Sequence, residues 1–75
     1  MIRITNPKGE TQVHTEESYE KLLWQFAESK IMDMWCQKHH LIPIYIHQGE
    51  QILNKMVVES FLEAFNYKVE KNYEN

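Results

Sequence analysis

The stretch TEESYEKLLWQFAESKIMDMWCQKHH, Thr15–His40, decides the fold. It contains neither Gly nor Pro and is rich in Leu, Glu, Lys, Ala, Gln and Met, all residues that lose little on entering a helix. Thr15 is a good N-cap, and Glu16 and Glu17 then fall in the first turn, where the helix dipole favours negative charge. The pattern predicts one long helix, Glu16 to His39. At steps of about 100° per residue, Tyr19, Leu22, Leu23, Phe26, Ala27 and Met34 share one side. Trp24, Ile31 and Trp35 form an adjoining stripe, with Met32 and Met34 nearby. Together they exceed the roughly 100° arc that a helix covered on one side needs. Lys30 and Asp33 interrupt the arc, so it is not apolar all round.

On the N-terminal side, Ile2 and Ile4 alternate with Arg3 and Thr5, the period-2 pattern of a half-buried strand. Asn6-Pro7-Lys8-Gly9 supplies turn chemistry, and Thr11 to His14 returns as a partner strand with Val13 expected to face the core. On the C-terminal side, Leu41 to His47 carries β-branched and aromatic residues, with Pro43 confining it to an edge or to a strand beginning there. Gln48-Gly49 is a possible tight turn, so Glu50 to Leu53 reads either as a returning strand or as the start of the last helix. Asn54 is the preferred N-cap. Val57, Val58, Phe61, Leu62 and Phe65 then follow at core-facing helical spacing. The order is β-β-α-β-(β)-α: an α+β domain in which a small antiparallel sheet of one or two hairpins packs against two helices. Residues 1–75 form a single domain in this reading, with 68–75 a frayed tail.

Seventy-five residues bury only about 60% of the unfolded surface, close to the limit of independent stability. Small scaffolds compensate with disulfides, a metal or oligomerisation. A single cysteine, Cys36, leaves no internal disulfide and points to a reducing, cytoplasmic compartment. No stretch approaches the ~20 apolar residues of a membrane span, and Met1-Ile2-Arg3-Ile4 does not read as a signal peptide. A net charge of −3 lacks the basic excess of a general nucleic-acid binder.

Each candidate chemistry has a plainer counterpart. Cys36, His39, His40 and His47 could contribute to a zinc site, with His14 or an acid completing it. Their spacing fits no familiar zinc module, and histidines at a helix C-terminus are favoured by the dipole alone. Cys36 stands at the wrong end of its helix for an activated thiolate. Glu16/Glu17 and Glu59/Glu63 read as solvated faces, and Gly9 and Gly49 are too few for a phosphate loop. The expectation is a non-enzymatic chain without cofactor. Arg3, Lys8, Lys38, His39 and His40 could gather beside Trp24, Trp35 or Tyr45 to bind nucleic acid, but eleven acids dilute eight basic residues.

The leading reading is a protein-interaction module that binds through Trp24, Ile31, Met32, Trp35 and Tyr45. Trp, Tyr and Met are enriched at interface centres. The partner is a larger protein, which the chain would regulate or inhibit as phage-type inhibitors do, or a second copy in a homodimer through the long helix. A fully intramolecular core explains the wide arc equally well. A nucleic-acid-binding regulator is the alternative, and no membrane partner is expected.

Overall fold

A computed structural model of the chain describes residues 1–72. The elements run β1 (Ile2–Thr5), β2 (Thr11–His14), α1 (Glu16–Ala27), α2 (Lys30–His39), β3 (Ile44–His47), β4 (Glu50–Leu53), α3 (Lys55–Ala64) and β5 (Lys68–Glu70). The domain is α+β, with an antiparallel sheet ordered β2-β1-β5 and a separate hairpin, β3-β4.

The first turn is held as its residues suggest. Asn6 Oδ1 accepts from the backbone N–H groups of Lys8 and Glu10, both at 2.9 Å, and Gly9 takes φ +88°. This five-residue connection sets Thr5 opposite Thr11 and therefore Arg3 opposite Val13. Ile2 and Ile4 point into the core, so Val13 lies on the other face and is exposed. The expected inward Val13 is thus corrected by register, since β2's one apolar residue has the wrong parity.

The expected long helix is two helices. Thr15 caps α1 as read, its hydroxyl accepting from Ser18 N–H at 3.1 Å. The break falls at Glu28–Ser29, with Ser29 extended at φ −76°, ψ 149°. The Ser29 hydroxyl serves both sides of it: it donates to Phe26 C=O at 2.7 Å and accepts from Met32 N–H at 3.2 Å. Geometry explains the break. α1 buries Tyr19, Leu23 and Ala27, while α2 buries Met32 and Cys36. In one continuous helix these two faces would point about 160° apart. Breaking the chain at Ser29 lets both enter one core, and the arc that looked too wide divides into two ordinary stripes.

That core joins Ile2 and Ile4 with the buried faces of α1 and α2, Leu53, and Val57, Val58, Phe61 and Leu62 of α3. Leu23, Met32, Val58 and Leu62 are completely enclosed. Phe61 is its aromatic hub, meeting Phe26 at 6.2 Å, Trp35 edge-on at 5.6 Å and Phe65 at 4.5 Å between ring centroids.

α2 and α3 end alike. Leu41 N–H bonds Cys36 C=O at 2.9 Å and His40 N–H bonds Gln37 C=O, with His40 left-handed at φ +57°. Tyr67 N–H bonds Leu62 C=O at 2.8 Å and Asn66 N–H bonds Glu63 C=O, with Asn66 at φ +66°. Both are Schellman stops made without glycine. The second directs the chain into β5, where the sequence suggested a frayed tail. Val69 pairs with Ile4 and packs on the core, Arg3 Nη2 meets Glu70 Oε1 at 2.6 Å, and Lys71 meets Glu59 at 2.7 Å. A strand with one core-facing residue leaves almost no periodic signal; its stability comes from the neighbouring strand and these ion pairs. Residues 73–75 of the expected tail lie outside the described residues.

Candidate interaction surface

Residues 50–53 are a strand. Gln48 (φ +50°) and Gly49 (φ +79°) both adopt the positive φ of a type I′ turn, whose twist suits a two-residue hairpin. Asn54 follows as the N-cap position of α3, without a side-chain capping bond. The β3–β4 register is Ile44↔Leu53, Tyr45↔Ile52, Ile46↔Gln51 and His47↔Glu50. Leu53 is buried and Ile44 half-buried, so one end of the hairpin is anchored in the core. Towards its tip it leaves the core: Tyr45 is 45% exposed and Ile46 64% exposed.

On α2, the side turned from Met32 and Cys36 carries Ile31, 63% exposed, and Met34, 62% exposed. Ile31 stands three and four residues before Met34 and Trp35, so the three side chains are neighbours on the helix surface. Trp35 is half-buried between Phe61 and the His39 ring, 4.9 Å away. Leu41 and Ile42, between α2 and β3, are exposed as well.

The five sequence candidates therefore separate. Ile31 and Tyr45 are open, Trp24 and Trp35 are half-buried on the core, and Met32 is completely enclosed within this chain. Met34, expected beside the stripe but not among the five, is exposed, as are Ile42 and Ile46, for which the sequence reading proposes no contact role. Their signal was available in the alternation of Ile42, Ile44 and Ile46, but alternation reports a face without saying whether anything covers it.

The chemical candidates are also placed. Cys36 is a buried free thiol, pushed above its ordinary pKa by burial and by the nearby Asp33 charge. His39 lies on Trp35, His40 makes the helix stop, and His47 closes the hairpin turn. His14 contacts Ser18 Oγ and Gln12 Oε1. Among the described residues, no three His, Cys, Asp or Glu side chains gather as a metal site.

Glu59 is the most engaged carboxylate. The Tyr19 hydroxyl donates to it at 2.6 Å and Lys71 reaches it at 2.7 Å. Burial works to raise its pKa; the hydrogen bonds from Lys71 and Tyr19, with the charges of Lys71 and Lys55, outweigh this and hold it below its ordinary value. Tyr19 is driven well above its ordinary pKa by burial and by the same carboxylate. Sequence reading missed this network because its members lie 40 and 12 residues apart, on α1, on α3 and in the turn after β5. Of the basic residues suggested for nucleic acid, Arg3 pairs with Glu70, and among the aromatics Trp35 packs against Phe61.

No helix among the described residues is long and apolar enough to cross a membrane. The chain matches no protein-family model, no curated protein and no solved structure.

Proposed function

We propose that this chain is a protein-interaction module that acts by binding rather than catalysis, and that its contact surface lies within residues 31–46. One observation carries the reading. Of the ten large apolar side chains exposed among the described residues, six (Ile31, Met34, Leu41, Ile42, Tyr45 and Ile46) fall in this stretch. Single exposed apolar residues are ordinary on protein surfaces, whereas a concentration of them is the usual mark of a docking site. None of the six belongs to the buried core. The groups best suited to chemistry support the same view, because the Cys36 thiol is buried and Glu59 is occupied by Tyr19 and Lys71. A module of this kind suits a regulator or inhibitor of a larger protein, and its lone buried thiol suits a reducing compartment.

The test compares tagged wild-type chain with the Ile31→Asp/Ile46→Asp variant in capture from the source cell, with circular dichroism confirming that both are folded. The expected result is a partner, or untagged copies of the chain, retained by wild type and lost by the variant. Equal capture by both overturns the reading.

A further inference from the structure

We infer that the partner of the 31–46 surface includes a second copy of this chain, joined by antiparallel pairing of β3 with β3 about a two-fold axis at Tyr45. The inference rests on the proposed binding role and names its occupant.

Hydrogen-bond phase shows which groups of β3 are free. In an antiparallel hairpin, alternate residues direct their N–H and C=O towards the partner strand. The two-residue turn closes on His47↔Glu50, and Asn54 N–H donates to Pro43 C=O at 2.7 Å, so the odd-numbered residues of β3 face β4. Ile44 and Ile46 accordingly present their main-chain groups outward. The hairpin is a sheet of its own, and no backbone bond of a turn or loop among the described residues reaches either group. The missing N–H of Pro43 lies on the β4 side and removes nothing from the outer edge.

The other outer edges are less suited to pairing. β5 carries Lys68 and Glu70 and β4 begins with Glu50, while β2, Thr-Gln-Val-His, is uncharged but has one apolar residue where β3 has three. Charges are a common means of blunting an edge strand. β3 reads Ile-Tyr-Ile-His and has no carboxylate, Lys or Arg.

The choice of a second copy rests on self-complementarity. With Tyr45 opposite its own counterpart, Ile44 faces Ile46 of the second copy and Ile46 faces Ile44. The outward main-chain groups of both residues then find partners in both copies. One face of the joined sheet carries the row Ile52-Tyr45-Tyr45-Ile52. The opposite face brings Leu53 and Ile44 of one copy beside Ile46 of the other. No like charges meet across the seam, and aromatic and β-branched cross-strand pairs are the favourable ones. The contact is isologous, so it closes at a dimer. A strand this short covers less than the ~1,200 Å² of a stable interface, so association is weak and concentration-dependent.

Sedimentation velocity on the full chain across a concentration series up to ~1 mM tests this. Wild type is expected to pass from monomer to dimer. Tyr45→Lys and Tyr45→Glu alone place like charges at the dyad and are each expected to weaken association at least about tenfold. An equimolar mixture of the two is expected to restore a dimer containing one of each. Ile46→Pro removes an outward N–H without touching a β4 bond and is expected to be monomeric, with its fold checked by circular dichroism. If Ile46→Pro unfolds, the charge-exchange mixture still decides.

Wild type that stays monomeric throughout overturns the inference, while capture of a different protein lost in Ile31→Asp/Ile46→Asp would keep the binding role. A dimer not restored in the mixture overturns the Tyr45 register. A dimer that survives Ile46→Pro but is lost in Ile31→Asp overturns β3 pairing and leaves the 31–46 surface standing.

Discussion

The two sheets of this small domain meet solvent in opposite ways. In β2-β1-β5 the outward face is charged, and its charges find partners: Arg3 with Glu70, and Lys68 with the same carboxylate at 3.8 Å. The following turn is held by Lys71 on Glu59. In β3-β4 the exposed residues of β3 include the apolar Tyr45 and Ile46, the strand carries no carboxylate, Lys or Arg, and only Leu53 is fully buried. A two-stranded hairpin is marginal by itself in water. One sheet thus pairs its surface charges within its own chain, and the other leaves Tyr45 and Ile46 exposed. Exposed apolar side chains concentrated in one stretch are informative about function for that reason.

Substitutions should separate the regions most sharply in the core. Leu23→Ala and Phe61→Ala are expected to cost about 3–5 kcal/mol, enough to unfold much of a chain this size. Urea denaturation followed by circular dichroism measures this. Ser29→Ala comes next, with a loss of about 1 kcal/mol, because the hydroxyl caps α2 and also bonds α1. A thermal midpoint lowered by roughly 4–8 °C would show it. An unchanged midpoint would mean that core rotation alone maintains the break.

The Tyr19-Glu59-Lys71 network sets the expected pH profile. Glu59 has a lowered folded pKa, so its contribution is complete above the ordinary carboxylate range and is lost as pH falls through the folded value. Glu70, lowered chiefly by its hydrogen bond from Arg3, acts in the same direction. Tyr19 has a raised folded pKa, so its contribution is complete below about pH 10 and is lost as pH rises above that. Stability is therefore expected to be flat near neutrality and to fall at both ends. Glu59→Gln should reduce the acid limb, leaving the Glu70 part, and Tyr19→Phe should reduce the alkaline limb, leaving the part from the buried Cys36 thiol, as read from thermal midpoints across pH. The smallest effects belong to the open surface: Ile31→Glu and Met34→Glu should shift stability by no more than about 0.5 kcal/mol. A large loss at either position would erase the distinction between the two regions.

Much of this architecture was legible in the residues. Asn6 to Gly9 specified the first turn, Thr15 capped α1, and the Val57–Leu62 stripe located α3 after Asn54. The division of α1 from α2 was harder, because no Gly or Pro marks it. Ser29 is an ordinary N-cap residue whose meaning emerges only when the Tyr19/Leu23/Ala27 and Met32/Cys36 faces are seen to be incompatible in one helix. β5 escaped because its pairing with β1 is a property of tertiary arrangement. The candidate surface was partly legible for a related reason. Helical spacing brought Ile31 forward together with Trp24 and Trp35, but exposure depends on how the segment is turned about its axis, and the break at Ser29 sets that turn.

The union of β1 with β5 also gives the folding reaction an order in time. Arg3 and Glu70 are 67 residues apart, so their pairing closes a loop holding almost everything else in the domain. The entropy of that closure is unfavourable until the intervening helices have docked and shortened the path. The β1–β2 hairpin spans few residues and can form early, leaving β5 as the piece that locks last. Native-state hydrogen exchange should show the β5 amides opening at lower free energy than those of α3, a sub-global step in which the final strand detaches while the core persists.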